Sequence, residues 1–226
     1  MNEKDLLIQA LTPTLIAPRF EPFQRLETPG HRFVVASDGL WLEVRRAWLY
    51  ALQRVARQSE VAMPYGVLKP ELTFLYPPIP LELMQEFASL ARRSCPQEAA
   101  VWLVWDEQKE EFSGRLGQVI AASAGHIRYW RPKLVEGEHL VMDLHSHGAG
   151  SAFFSSTDDQ DDCGEVKVSG VLGRCDQPQL ETAFRLCLLG KYISLKARVS
   201  GDYIEFDAAV VQQGEERWST SFTRSC

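Results

Sequence analysis

No apolar run in the chain approaches the roughly 18 residues that a membrane-spanning helix needs. The segment Met1 to Glu21 mixes acids with its apolar residues and lacks the basic-then-apolar order of a secretory leader. Basic charge is also short. The 24 lysines and arginines are outnumbered by 30 acids, for a net charge of -6. That balance argues against the broad electropositive surface on which nonspecific nucleic-acid or anionic-membrane binding depends. Cysteine is scarce, with five residues and no CxxC pair. Cys163, Cys175 and Cys187 recur every twelve residues, but structural zinc sites use close-set ligand pairs. With Cys95 and Cys226 they read as reduced thiols of a cytoplasmic protein. Internal repeats and low-complexity tracts are missing as well.

What remains is an ordinary globular composition, 45% hydrophobic and 24% charged over 226 residues. That length buries a sizeable core and suits one large domain, or one domain with an extension. Prolines at 13, 18, 22 and 29 predict extended chain rather than a long helix up to Pro29. His31 to Val44 predicts a hairpin, with Phe33-Val34-Val35 and Leu40-Trp41-Leu42 flanking Asp38-Gly39. Arg45 to Arg57 predicts a core-facing helix, on the stripe made by Val44, Trp48, Leu52 and Val55. Pro64 to Pro80 is a proline-rich connector holding one strand, Leu72 to Tyr76, and is the best domain boundary. The expected division is an N-terminal extension, 1–80, followed by a larger domain, 81–226.

The second part predicts an amphipathic helix, Leu81 to Arg93, with Leu83, Phe87, Leu90 and Ala91 inward. Strands are expected at Ala99 to Trp105, Gly117 to Ala122, His126 to Trp130, His139 to His145 and Glu165 to Gly173. Thr182 to Gly190 fits a strand or a helix. Leu195 to Ser200 and Tyr203 to Val211 suit a hairpin around Gly201-Asp202. The fold class is α/β, more narrowly α+β.

One segment carries chemistry: Asp143-Leu144-His145-Ser146-His147, followed after a Gly148-Ala149-Gly150 stretch by Ser155 and Asp158. At a strand end, residues i and i+2 share a face, so both imidazoles can converge on one ion. The glycines let the chain reverse and bring Asp158 back to the same point. Catalytic zinc sites typically use three protein ligands and keep one position open for water. His145, His147 and Asp158 supply such a set, and a water so bound ionises near neutral pH.

The spacing H-x-H-x7-S-x2-D resembles the signature of the JAMM, or MPN-domain, metalloprotease family at every fixed position. The resemblance covers about Leu81 to Val211. It implies an MPN/JAB-like (cytidine-deaminase-like) domain, with a central mixed sheet flanked by helices, behind an N-terminal α+β extension. It implies Zn²⁺ held by His145, His147 and Asp158, with Ser155 as a catalytic oxyanion donor. The family also uses a glutamate as proton shuttle where a helix runs into the first core strand. Cys95-Pro96-Gln97-Glu98-Ala99-Ala100-Val101 resembles that pattern and implies Glu98, although Val101 stands where glycine is common. Glu107, Glu110 and Glu111 are fallbacks in what reads as a solvated turn. Pro78-Ile79-Pro80, Trp102 to Trp105 and Ala152 to Ser155 further resemble the bacterial PRTRC-system branch. That branch implies a ubiquitin-like protein or its conjugates as partner, with E1-like and E2-like proteins alongside. The implied activity is zinc-dependent hydrolysis of an amide or isopeptide bond to a ubiquitin-like tail.

Plainer readings compete at several positions. Ser155-x-x-Asp158 also fits a helix capping box, which would compete for the Asp158 carboxylate. Asp159, Asp161 and Asp162 read as a solvated acidic turn. Asp143 suits either a partner to a metal-bound histidine or a strand-surface acid. His126 and His139 read as structural or surface residues, and Trp102 and Trp105 as core. Phe153-Phe154 would contact substrate if exposed and anchor the turn if buried. A barrel phosphoesterase opening on Asp-Leu-His-Ser-His needs about 200 residues, more than follow His145. A non-catalytic MPN scaffold is the alternative from another functional class, and the complete ligand set favours catalysis over it.

Overall fold

The computed structural model describes residues 2–61, 63–122, 127–130 and 132–208. The chain divides into two compact units, Met1–Tyr76 and Pro77–Cys226.

The first unit opens with helix α1 (Glu3–Leu11), whose N-cap Asn2 accepts a hydrogen bond from the Lys4 N–H at 2.9 Å. This corrects the expectation of extended chain through Pro29. The helix closes before Pro13, and a proline disfavours helical backbone only at its own position and the one before it. Strands β1 (Thr14–Ile16), β2 (Gly30–Ala36), β3 (Gly39–Arg46), β4 (Leu49–Arg57) and β5 (Glu71–Phe74) form one sheet in that spatial order. Strands β1 and β2 are parallel and the remaining pairs antiparallel. The expected β2–β3 hairpin is present, closing on the pair Ala36 and Gly39.

The helix expected over Arg45–Arg57 is absent. Strand β3 runs on through Arg46, turns at Ala47-Trp48, and β4 pairs back along it from Leu49 to Arg57. All four stripe residues are buried, so their inward placement was read correctly from the wrong period. Leu49, Tyr50, Ala51 and Leu52 are consecutive and all buried. A strand covered on both faces buries consecutive residues, whereas a surface helix buries only a stripe. Val34, Ala36, Trp41, Tyr50, Leu52 and Leu68 form the core of this sheet.

The second unit begins with β6 (Ile79–Pro80) and helix α2 (Leu81–Ser94). Met84, Phe87 and Ala91 face inward from α2, while the expected Leu83 and Leu90 are half-buried. Then follow β7 (Ala100–Asp106), β8 (Glu111–Arg115), β9 (Gln118–Ala122), β10 (Ile127–Trp130), β11 (Glu138–Ser146) and helix α3 (Ser156–Asp162). Strands β12 (Val166–Gly173), β13 (Glu181–Leu188), β14 (Lys191–Ser200) and β15 (Tyr203–Ala208) complete it. Eight of these strands make one sheet in the order β6-β15-β14-β13-β12-β11-β7-β8, and β9 and β10 pair separately.

Only the β11–β12 pair in the eight-stranded sheet is parallel, so the sheet is mixed and the fold is α+β, as expected. The open choice at Thr182 to Gly190 resolves as a strand, because β12 pairs with it from Val166 to Gly173. Strand β8 was not foreseen. Glu111, read as part of a solvated turn, pairs with Asp106 as its first residue. The β14–β15 hairpin turns at Gly201-Asp202. His126, Val211 and Cys226 lie outside the described residues. Trp102 and Trp105 lie in the core. No helix among the described residues is long and apolar enough to cross a membrane.

Candidate metal centre

Strand β11 lies centrally, between antiparallel β7 and parallel β12. Met142 and Leu144 are fully buried, and the alternate positions Asp143, His145 and His147 share the other side. Past the strand the chain stays tied to β12. The His147 N–H donates to the Leu172 carbonyl at 2.8 Å, and the Cys175 N–H donates to the Gly148 carbonyl at 2.8 Å. Gly148 has φ +52°, and a Cβ there would lie 2.4 Å from the Pro96 carbonyl oxygen. A Cβ on Gly173 would lie 2.3 Å from the Ala152 nitrogen, so the returning loop packs directly on β12. These two glycines set the path that delivers α3.

His145, His147 and Asp158 come together there. His145 Nε2 is 3.2 Å from His147 Nε2 and 3.2 Å from Asp158 Oδ1. One ligand atom from each of the three residues lies within 4.8 Å of the others. Among the described residues this is the one group of three or more His, Cys, Asp or Glu side chains so gathered. His147 Nδ1 lies 3.1 Å from the Ser151 carbonyl, which can only accept, so Nδ1 carries the proton. That leaves the Nε2 lone pair facing the other two donors, as a metal-binding histidine requires. Two imidazole nitrogens and one carboxylate oxygen suit a divalent cation of borderline softness.

Burial opposes charge on His145, but the adjacent Asp158, with Asp143 and Glu98 adding to it, raises its pKa above the usual value. Burial, then the neighbouring His145, lowers the pKa of His147. Burial would raise the pKa of Asp158, yet the His145 contact and the bonds from Ser155 hold it well below the usual carboxylate range. An ionised carboxylate and a neutral imidazole are the forms that bind metal, so Asp158 and His147 are poised for it, while an arriving cation has to displace the proton that Asp158 favours on His145.

Ser155 and Asp158 form the capping box of α3. The Ser155 N–H and hydroxyl donate to Asp158 Oδ2 at 2.6 and 2.7 Å, and the Asp158 N–H donates to Ser155 Oγ at 3.2 Å. The expected competition for this carboxylate does not arise, because Oδ2 serves the cap while Oδ1 meets His145. Glu98 is buried at the entrance to β7. Next to it, the Ser146 N–H donates to the Ala99 carbonyl at 2.9 Å, and the Ala99 N–H donates to Ser146 Oγ at 3.0 Å. Glu107 instead lies with its carboxylate 3.1 Å from His139 Nε2, at the opposite end of β11.

The acidic turn is not uniformly solvated. Asp162 is buried against Lys167 and Arg185, Asp159 bonds Arg185, and only Asp161 is exposed. Asp143 is buried too, with Lys167 Nζ donating to it at 2.8 Å. The two phenylalanines divide the readings offered for them. Phe153 is half exposed with its ring edge-on to His147, 4.8 Å between centroids, while Phe154 lies under the Arg185 guanidinium. Lys167 and Arg185 were missed from sequence. Their signal was a lone cation in an apolar strand run, Val166-Lys167-Val168 and Phe184-Arg185-Leu186.

A half-buried set of two imidazoles and a carboxylate, at the end of a central strand and completed by a capped helix, could hold a metal ion. Residues 80–187 match the family of prokaryotic homologs of the JAB domain, and residues 2–75 match a domain of unknown function, DUF2016. Over residues 80–187 the second unit is thus similar to the JAB family, which includes metalloproteases. No curated protein sequence matches the chain significantly.

Proposed function

We propose that the chain is a cytoplasmic zinc metallopeptidase that hydrolyses an amide or isopeptide bond to the tail of a ubiquitin-like protein. The observation that carries this reading is the convergence of His145 Nε2, His147 Nε2 and Asp158 Oδ1, with the His147 tautomer held by Ser151. A zinc ion bound by these three side chains would acidify water at neutral pH and polarise a carbonyl oxygen. Glu98 accepts a proton as the water oxygen attacks the scissile carbonyl, and returns it to the amine as the C–N bond breaks. Glu98 is buried two residues before Ala100, the β7 residue that pairs with His145, which supports that role. Ser155 donates its hydroxyl to the oxyanion. To do so it exchanges its bond to Asp158 Oδ2 for one to substrate. A ubiquitin-like protein, delivered with E1-like and E2-like proteins in a bacterial PRTRC-type system, is the partner this chemistry suits.

The test is cleavage of an isopeptide joining a ubiquitin-like tail to lysine, with zinc content measured on the same sample. Wild type should hold about one zinc and cleave. Glu98→Gln should keep the zinc and lose on the order of a hundredfold in rate, since an amide takes no proton at neutral pH. A zinc-loaded wild type that cleaves no such bond leaves the scaffold reading instead.

A further inference from the structure

Helix α3 carries the third ligand yet has nothing apolar with which to dock. Its sequence is Ser-Thr-Asp-Asp-Gln-Asp-Asp, and its one buried residue is Asp162. Seven-residue helices are marginal without tertiary packing, so something other than hydrophobic burial holds this one. Arg185 of β13 does so. Its Nη1 donates to Asp159 at 2.5 Å, and its Nε and Nη2 donate to Asp162 Oδ2 at 3.1 and 2.8 Å. The guanidinium lies 4.0 Å from the ring centroids of both Phe154 and Tyr192. It therefore holds the residue before the cap, the middle of the helix and its last residue. Lys167 of β12 bridges Asp162 to Asp143 at 2.8 Å each, and Asp143 stands two residues from His145. The helix of Asp158 and the strand of the histidines are thus joined by one buried chain of ion pairs.

We infer that Arg185 is a positioning residue for the metal centre, holding Asp158 against His145 and His147 through Asp159, Asp162 and Phe154. The inference rests on the metal-binding reading of those three ligands. Electrostatics alone gives the opposite sign, because removing a cation near a cation site should tighten metal binding. Loss of positioning weakens it. Outer partners of metal ligands typically contribute about ten- to a hundredfold in affinity.

The experiment is zinc affinity of the full chain, measured by competition with a chromophoric chelator, with folding checked by circular dichroism. Arg185→Met should bind zinc at least about tenfold more weakly than wild type. In an Asp158→Ala background, where His145 and His147 alone leave weak binding that is titrated at excess zinc, the same change should cause no further weakening, since Arg185 acts through Asp158. Unchanged or tighter binding by Arg185→Met overturns the inference, as does an equal loss in the Asp158→Ala background. Should Arg185→Met fail to fold, Arg185→Lys keeps the charge but loses the planar fork and stacking. It should still weaken binding several-fold, and unaltered affinity there overturns the inference. A folded wild type that takes up no zinc overturns both this inference and the metal site. Wild-type zinc binding with an indifferent Arg185→Met overturns this inference alone.

Discussion

The Ser155 hydroxyl donates to Asp158 Oδ2 across 2.7 Å, while Oδ1 of the same carboxylate lies 3.2 Å from His145 Nε2. One side chain thus closes the helix cap and faces the histidines at once. The serine is bonded to the group that would ligate the ion, so folding and chemistry are linked at a single carboxylate.

His145→Ala, His147→Ala and Asp158→Ala should each abolish stoichiometric zinc, because each removes one of only three ligands. Asp158→Ala should also lower the melting temperature more than the other two, since it breaks the capping box as well. Elemental analysis and a thermal melt of the three variants check both points. Undiminished zinc in all three would falsify the ligand assignment.

Ser155→Ala should cost about 1 kcal/mol of stability from the lost cap. It should also slow turnover by roughly two to three powers of ten with zinc retained, because an oxyanion donor acts only in the transition state. Steady-state kinetics and denaturation of the same variant separate the two roles. A destabilised enzyme with wild-type kcat reduces Ser155 to a cap.

Gly148→Ala should strain the turn between the histidines and α3. Its φ of +52° disfavours any side chain, and the added Cβ would meet the Pro96 carbonyl at 2.4 Å. Pro96 lies two residues before Glu98, so the collision displaces the loop on which the proposed base sits. The expected loss is about 2 kcal/mol or more. A urea denaturation curve superimposable on wild type contradicts it.

Asp162→Asn tests the buried ion pairs through pH. Burial would raise the pKa of Asp162, but Lys167 and Arg185 bring it below the ordinary value. A carboxylate with a depressed folded pKa stabilises the fold above its unfolded pKa, near 3.9, and that stability is lost as pH falls towards the folded value. The variant should be a few kcal/mol less stable at pH 7, as for a broken buried pair. The gap to wild type should begin to close below about pH 4. Urea denaturation at pH 7, 5 and 3 checks this, and a gap as wide at pH 3 as at pH 7 counts against it.

Much of the candidate site was legible in sequence because it is local. His145 and His147 share a face by the alternation of any strand. Ser155 and Asp158 sit three apart, the spacing of any capping box. The glycines between them allow a tight return. None of this depends on which strands become neighbours. Most strands of the second unit were legible for a similar reason, as short apolar runs between turn residues, whereas β6 and β8 were not expected and β13 was left open.

Strand β4 was not legible, because Arg45 to Arg57 satisfies a helical period, while its pairing with β3 and β5 and the burial of its consecutive residues exist only in the folded sheet. Likewise, Ala99 meets Ser146 only because β7 pairs with β11, and that pairing sets Ala100, two residues after Glu98, opposite His145. The acids of α3 looked solvated because their partners, Lys167 and Arg185, lie on later strands. A short-range pattern can be read from spacing alone. An ion pair across strands depends on register, which is settled when the whole sheet assembles and buries its charges together.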